Sequence, residues 1–262
     1  RTWAGFIHDP DPRPAMSVPK AERQARYQEL YERGGFALWL GNYSDSFMSQ
    51  EAADEVAEFL AGKIRERVHD PAMAEKLIPK HTFGTKRCPG EKNYYETFNR
   101  DNVALVDLRE TPITRITATG IETSAGLHEL DVIIYATGFH SVTGELLRMD
   151  IRGQGGRSLQ EHWSDGPRTN LGVQFSGFPN LWAIMGPHNP AVFCNITRCV
   201  ESNVEWIVDC IRYLREHGYE TMETTTEAEE AWTARCYASA QGLLINNMQD
   251  SWFFGSTNPE NV

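Results

Sequence analysis

The stretch "DVIIYATGF", Asp131 to Phe139, decides how this chain is read. An acid opens it, the apolar run Val132–Tyr135 follows, and Ala136, Thr137 and Gly138 close it. An unbroken apolar run reads as a strand covered on both faces. Small residues at its end let the backbone approach a ligand closely. The plainer reading is a tight strand exit, common to any α/β protein. "LWAIMGPHNPAVFCNIT", Leu181 to Thr197, repeats the logic. An apolar run ends in Gly186-Pro187, passes through a short loop and opens a long helix. A helix N-terminus is electropositive and offers free N–H groups. Two such strand-to-turn exits predict an α/β fold with ligands at the strand carboxyl ends.

Composition sets the limits. The 262 residues suffice for one large domain or two ordinary ones. With 40% hydrophobic and 23% charged residues the chain is of globular type. A formal net charge of −11 argues against nucleic acid and against a polybasic membrane anchor. No apolar run approaches the ~18 residues of a membrane span. "RTWAGFIHDPDPRPAM", at the start, has no apolar core of a signal peptide. A cytoplasmic protein is expected. The absence of an initiator Met is a first hint of a fragment or a processed chain. Cys88, Cys194, Cys199, Cys210 and Cys236 form no CxxC pair and read as reduced, mostly buried thiols.

Helical periodicity is clear in five places. Residues 19–34 read as an amphipathic helix, with Pro19 near its start and Gly34 as its stop. Ser49 caps a second helix along which Val56, Phe59, Leu60 and Ile64 recur. Asp70 and Pro71 start a third, which ends at Pro79. In "NITRCVESNVEWIVDCIRYLREHG" Val200, Val204, Ile207, Val208, Ile211 and Leu214 form one stripe before Gly218. A last helix covers "TEAEEAWTARCYASAQG". "NVALVD" and "PITRITATGIETS" read as strands, and residues 141–177 as irregular connection.

Lys86 and Arg87 stand side by side after Gly84-Thr85, on a loop of an acidic chain. Alone, such a pair is a solvated surface feature. Trp252 alone is a packing residue, and His188, with no acid at triad or metal spacing, reads as structural or solvent-facing. There is no GxSxG, HExxH, P-loop or EF-hand pattern and no candidate metal site. "GQGGR", Gly153 to Arg157, is not a dinucleotide fingerprint.

Taken together, the blocks "AEKLIPK…FGTKR", "YYETFNRDNVALVD", "PITRIT", "DVIIYATGF", "GPRTNLGV", "FPNLWAIMGP", "NVEWI" and "SWFFG" resemble the Baeyer–Villiger monooxygenases. The resemblance runs from about Glu51 to Gly255, and its specificity lies in the order and spacing of the blocks. It implies an FAD- and NADPH-dependent oxidoreductase that uses O2 to turn a ketone into an ester or lactone through a flavin C4a-peroxide. It implies that Arg87 is the catalytic arginine, a cation that cannot be deprotonated near the peroxide and the oxyanion. Lys86 matches the lysine that meets the 2′-phosphate of NADP. Trp252 matches a tryptophan on a loop that meets NADP, its indole N–H a donor. Thr137 and Gly138 fall at the cofactor-binding strand end and Ile196 at a position touching FAD. Ala191, Val192 and Phe193 match the loop shaping the ketone pocket.

The family's two glycine-rich dinucleotide loops and the fingerprint between them are absent, and "STNPENV" departs from the family's continuation. The resemblance therefore implies a C-terminal fragment of a flavoprotein with two dinucleotide-binding domains. Residues 1–139 would be the later part of the NADP-binding domain with its helical segment, and 140–262 the C-terminal part of the FAD-binding domain. The remaining N-terminal part of the same polypeptide would be its partner, and the fragment alone would be inactive. Two alternatives stand beside this reading: a related flavin enzyme oxidising nitrogen or sulfur, and a truncated, non-catalytic α/β binding protein.

Overall fold

In the computed structural model, residues 8–138, 141–189 and 195–248 are described. The chain divides into two compact units, one of residues 10–138, the other of 139–262 with 1–9.

The first unit opens with α1 (Lys20–Arg33), which starts after Pro19 and stops at Gly34. A short helix α2 (Ala37–Leu40) leads to α3 (Gln50–Arg67). Ser49 caps α3 by accepting from the Ala52 N–H, and Asp70 caps α4 (Pro71–Leu77) by accepting from Ala72. These caps lie where the sequence puts them. The fully buried Tyr27 of α1 rests 5.8 Å from the Phe59 ring of α3. Beside it, Glu55 accepts from Arg23 (Nη2, 3.0 Å) and the Tyr27 hydroxyl (3.3 Å), fixing the two helices with mostly covered polar groups. Ile64, Val68 and Ala74 form a second core with Leu77, Ile78 and Tyr95. Arg67 ties it to α5 (Tyr94–Thr97) through Glu91 and Glu96, each at 2.6 Å. A three-stranded antiparallel meander follows: β1 (Ile113–Thr117), β2 (Gly120–Thr123) and β3 (Gly126–Glu129).

Two expected strands of this unit do not form. Residues 103–107 and 132–138 have no assigned secondary structure. Val132, Ile134 and Tyr135 are 73%, 86% and 66% exposed, where a strand buried on both faces was expected. The local sequence dictates apolarity, but a strand exists only through neighbours that accept its hydrogen bonds. Among the described residues nothing pairs with this run.

In the second unit, residues 141–177 are more regular than expected. They contain α6 (Gly144–Arg148) and α7 (Leu159–His162), the latter started by a reciprocal capping box between Ser158 and Glu161. Leu159, Trp163, Phe175 and Phe178 form the core there. The Trp163 indole N–H reaches the Arg168 carbonyl at 2.9 Å. The strand expected at 180–187 is instead a string of turns, held by Ala183 N–H to Val173 O (2.8 Å) and Gly186 N–H to Gly172 O (3.0 Å). Helices α8 (Ile196–His217) and α9 (Thr226–Ala240) complete the unit. Along the apolar stripe of α8 only Leu214 is buried, while Val204 and Val208 are exposed. One cysteine also departs from expectation. Cys199 is disulfide-bonded, whereas Cys88, Cys210 and Cys236 are free, half-buried thiols whose pKa burial raises. No helix among the described residues is long and apolar enough to cross a membrane.

A buried carboxylate holds α9 in place. Glu229 is 1% exposed. Its carboxylate accepts from the Ser176 N–H (2.9 Å), the Ser176 hydroxyl (2.7 Å) and His162 Nε2 (3.1 Å). Burial alone would raise its pKa, but the hydrogen bonds from His162 and Ser176 outweigh burial and hold it below the ordinary value of 4.5. Glu229→Ala strands these donors and is expected to cost about 3 kcal/mol, read as a fall in Tm. A carboxyl with a lowered folded pKa stabilises fully above its unfolded pKa and loses that effect as pH falls through the folded value. The Tm advantage of the parent chain over Glu229→Gln should therefore narrow below pH 4.5.

Candidate functional site

The Lys86-Arg87 pair sits on a turn that the fold anchors tightly. Thr85 is fully buried; its N–H (3.2 Å) and hydroxyl (2.6 Å) both donate to the Thr82 carbonyl. Gly84 has φ +86°, and a Cβ there would land 2.4 Å from Phe47 Cδ1. Only glycine satisfies both constraints. Phe83, buried, stacks on Phe47 with ring centroids 6.5 Å apart. Lys86 and Arg87 thus leave a rigid base, the first half-buried and the second exposed.

Their electrostatics differ from those of the two arginines that end α3. Arg65 and Arg67 are each neutralised by two glutamates. Lys86 and Arg87 enter no ion pair among the described residues. Arg87 instead rests its guanidinium over the Phe36 ring, 5.0 Å from the centroid. That contact orients the cation without cancelling its charge. Lys86 is close enough to affect His81, whose pKa is lowered by burial first and by the Lys86 charge second. Two uncancelled cations on a fixed turn suit an anionic ligand.

The other predicted site residues are dispersed. Thr137 and Gly138 are exposed at the end of the uncovered run, with Gly138 at φ +88° and open space where a Cβ would stand. They share a unit with Lys86 and Arg87, and no hydrogen bond or ion pair among the described residues joins them. Ile196, 54% exposed, opens α8 in the other unit, and the Asn195 side chain does not cap that helix. Ala191, Val192, Phe193 and Trp252 lie outside the described residues. Two shallow clefts occur elsewhere: one of about 270 Å³ beside Arg168 and Tyr237, the other of about 420 Å³ beside Glu55 and Lys63. Neither touches a predicted site residue, so concavity does not mark the site. Phe36 escaped the sequence reading; nothing in its local pattern links it to Arg87. No group of His, Cys, Asp and Glu among the described residues is arranged to hold a metal.

No family model matches the chain. Similar proteins are nevertheless numerous. The chain is 45% identical over 260 residues to 2-oxo-Δ3-4,5,5-trimethylcyclopentenylacetyl-CoA monooxygenase of Pseudomonas putida, covering 99% of this chain and 48% of that one. It is 42% identical to cyclohexanone 1,2-monooxygenase of an Acinetobacter species (94% and 45%). It is also 42% identical to phenazine N-monooxygenase PhzNO1 of Lysobacter antibioticus (92% and 44%). In three dimensions it matches OTEMO in complex with FAD and NADP with TM-score 0.90 and 46% identity, over 94% of this chain and 46% of that one. A closed crystal structure of cyclohexanone monooxygenase gives TM-score 0.90 and 39% identity, over 97% and 47%.

The chain is a homologue of the Baeyer–Villiger monooxygenases. It spans about half the length of the relatives it matches. Its mixed helix and sheet content is that of part of a Baeyer–Villiger flavoprotein fold, as the resemblance implied.

The effect of Lys86 on His81 offers a direct check of the site's field. Lys86→Ala should move the His81 pKa upward, because one of the two influences lowering it is removed. An NMR titration of the imidazole reads the shift, and an unmoved His81 would separate the two residues.

Proposed function

We propose that this chain carries the cationic turn of an FAD- and NADPH-dependent Baeyer–Villiger monooxygenase. The reaction inserts one oxygen atom of O2 next to a ketone carbonyl and gives an ester or a lactone. The observation that carries the proposal is the anchored Gly84-Thr85 turn with its two unpaired cations, at the position the family's motif assigns to them. The residues fit the groups: a compact ammonium for a phosphate, a permanent guanidinium for a developing oxyanion. Bound FAD supplies activated oxygen, with electrons from NADPH.

The chain's own residues then have separate tasks. Lys86 binds the 2′-phosphate of NADP as a point charge. Arg87 brings a guanidinium cation that stabilises negative charge gathering on the ketone oxygen. The Phe36 ring sets the direction of the guanidinium before the substrate arrives. Thr137 and Gly138 let the backbone approach a cofactor, Ile196 packs against FAD, and Trp252 donates to NADP. Ala191, Val192 and Phe193 shape the ketone pocket. Residues 1–139 serve the NADP side and 140–262 the FAD side, in the cytoplasm, with the remainder of the polypeptide supplying the dinucleotide loops.

A second reading, oxygenation of a nitrogen, is favoured by the phenazine N-monooxygenase relative. Arg87 discriminates between the two, because a neutral nitrogen nucleophile develops no ketone oxyanion for a fixed cation to stabilise. In a full-length enzyme carrying this sequence, Arg87→Ala should abolish lactone or ester formation while reduction of flavin by NADPH persists. Intact ketone oxidation in that variant would overturn the assignment. Lys86→Ala should raise KM for NADPH ~10-fold or more, the scale of a charged hydrogen bond, with KM for NADH little changed. Equal changes for both would remove the phosphate contact.

A further inference from the structure

Helix α9 presents Glu229, Thr233 and Tyr237 at i, i+4 and i+8, along one face. Each meets a different point of the segment from His162 to His188. Glu229 holds His162 and Ser176. The Thr233 hydroxyl accepts from the Thr169 N–H (3.3 Å) and lies 3.4 Å from the Thr169 carbonyl, to which it donates. Tyr237 meets the His188 ring edge-on, centroids 5.8 Å apart.

Thr169 is fully buried, and its hydroxyl has three partners. They are the Pro187 carbonyl (3.1 Å), the Gly172 N–H (3.2 Å) and His188 Nδ1 (3.3 Å). A hydroxyl has one proton and two lone pairs. The Pro187 carbonyl can only accept and the Gly172 N–H can only donate. The remaining lone pair of Thr169 then faces His188 Nδ1, which must carry a proton. His188 itself holds a left-handed backbone, φ +63°, a conformation few side-chain-bearing residues adopt and one that the surrounding contacts maintain. Gly172 packs so closely on the same turn that a Cβ would stand 2.7 Å from the Asn189 nitrogen. Burial lowers the His188 pKa, which keeps the ring neutral.

We propose that Thr233, through the Thr169 backbone, and Tyr237, against the ring itself, hold the turn on which the Thr169 hydroxyl locks His188 as the Nδ1–H tautomer, a positioning network set in place by the anchoring of α9 at Glu229. The effect on ketone binding rests on the ketone-oxidising function proposed above; the tautomer does not. His188 is a positioning residue in this scheme, three positions before Ala191 and built into the turn rather than solvent-facing.

Two measurements separate the parts. Long-range proton–nitrogen NMR of this chain, with His188 assigned by its loss in His188→Gln, should show Nδ1 protonated and Nε2 bare. Thr169→Val, nearly isosteric, should shift the population toward Nε2–H, and the milder Thr233→Val should do so partially. A dominant Nε2–H form in the parent chain, or no response in either variant, overturns the network. In a full-length enzyme, Thr233→Val should raise KM for the ketone ~5-fold, the scale of one neutral hydrogen bond, while KM for NADPH and the rate of flavin reduction hold. Equal losses in all three would mean a merely structural role. An enzyme that oxidises no ketone would sink the proposed function and leave the NMR result standing.

Discussion

The carboxylate of Glu229 is the constraint on which the second unit depends. A charge 1% exposed persists only if its lone pairs are filled. Here a backbone N–H, a hydroxyl and an imidazole fill them, and those donors come from residues 162 and 176. One side chain of α9 therefore determines where α7 and the residues after Phe175 must lie. The apolar core of Leu159, Trp163, Phe175 and Phe178 supplies adhesion without direction. The carboxylate supplies direction, because an acceptor with three donors tolerates little sliding. The His162 ring, tilted on Phe178 at 5.5 Å, shows both kinds of contact in one residue.

The first unit solves a different problem with similar means. Its glutamates neutralise nearly every arginine near them, and Arg23, Arg65 and Arg67 are all paired. Lys86 and Arg87, like Lys80, Lys92 and Arg100, enter no ion pair among the described residues, and Arg87 rests on the Phe36 ring instead. A chain of net charge −11 has carboxylates to spare. Holding two adjacent cations away from them requires a turn that cannot relax, and Gly84, Thr85 and Phe47 make such a turn. The rigidity of the base and the freedom of the charges belong to one arrangement, suited to meeting an anion with little reorganisation.

How much of this the sequence carries depends on the range of the interaction. The caps of α3 and α4 are legible because Ser49 and Asp70 act within three residues. The Ser158–Glu161 capping box was equally local, and the surrounding Gly, Pro and Arg residues masked it. Strands failed at Val132–Tyr135 because apolarity is local and pairing is not. Glu229 could not be picked from "EAEE" by any local rule: Glu227 and Glu230 are chemically identical, and only contacts from residues 162 and 176 distinguish the buried one. Lys86 and Arg87 are singled out by motif order, while Phe36, the ring under Arg87, is invisible for the same reason as Glu229.

The unsatisfied features of the chain point in one direction. Local propensity, capping and polar pairing agree over most of the described residues, as they must in a sequence that specifies a single structure. They disagree at the uncovered run Val132–Tyr135, at the exposed stripe of α8 and at the two unpaired cations. Apolar surface that is uncovered adds no burial to the units that carry it, and charge without an ion pair adds no such pair to their stability. Thr137 and Gly138 end the first of these features, Ile196 opens the second, and Arg87 belongs to the third. Among the described residues, Thr137, Gly138, Ile196 and Arg87 thus fall at these exposed or unpaired positions. A purely structural α/β module would have been free to bury or pair each of them.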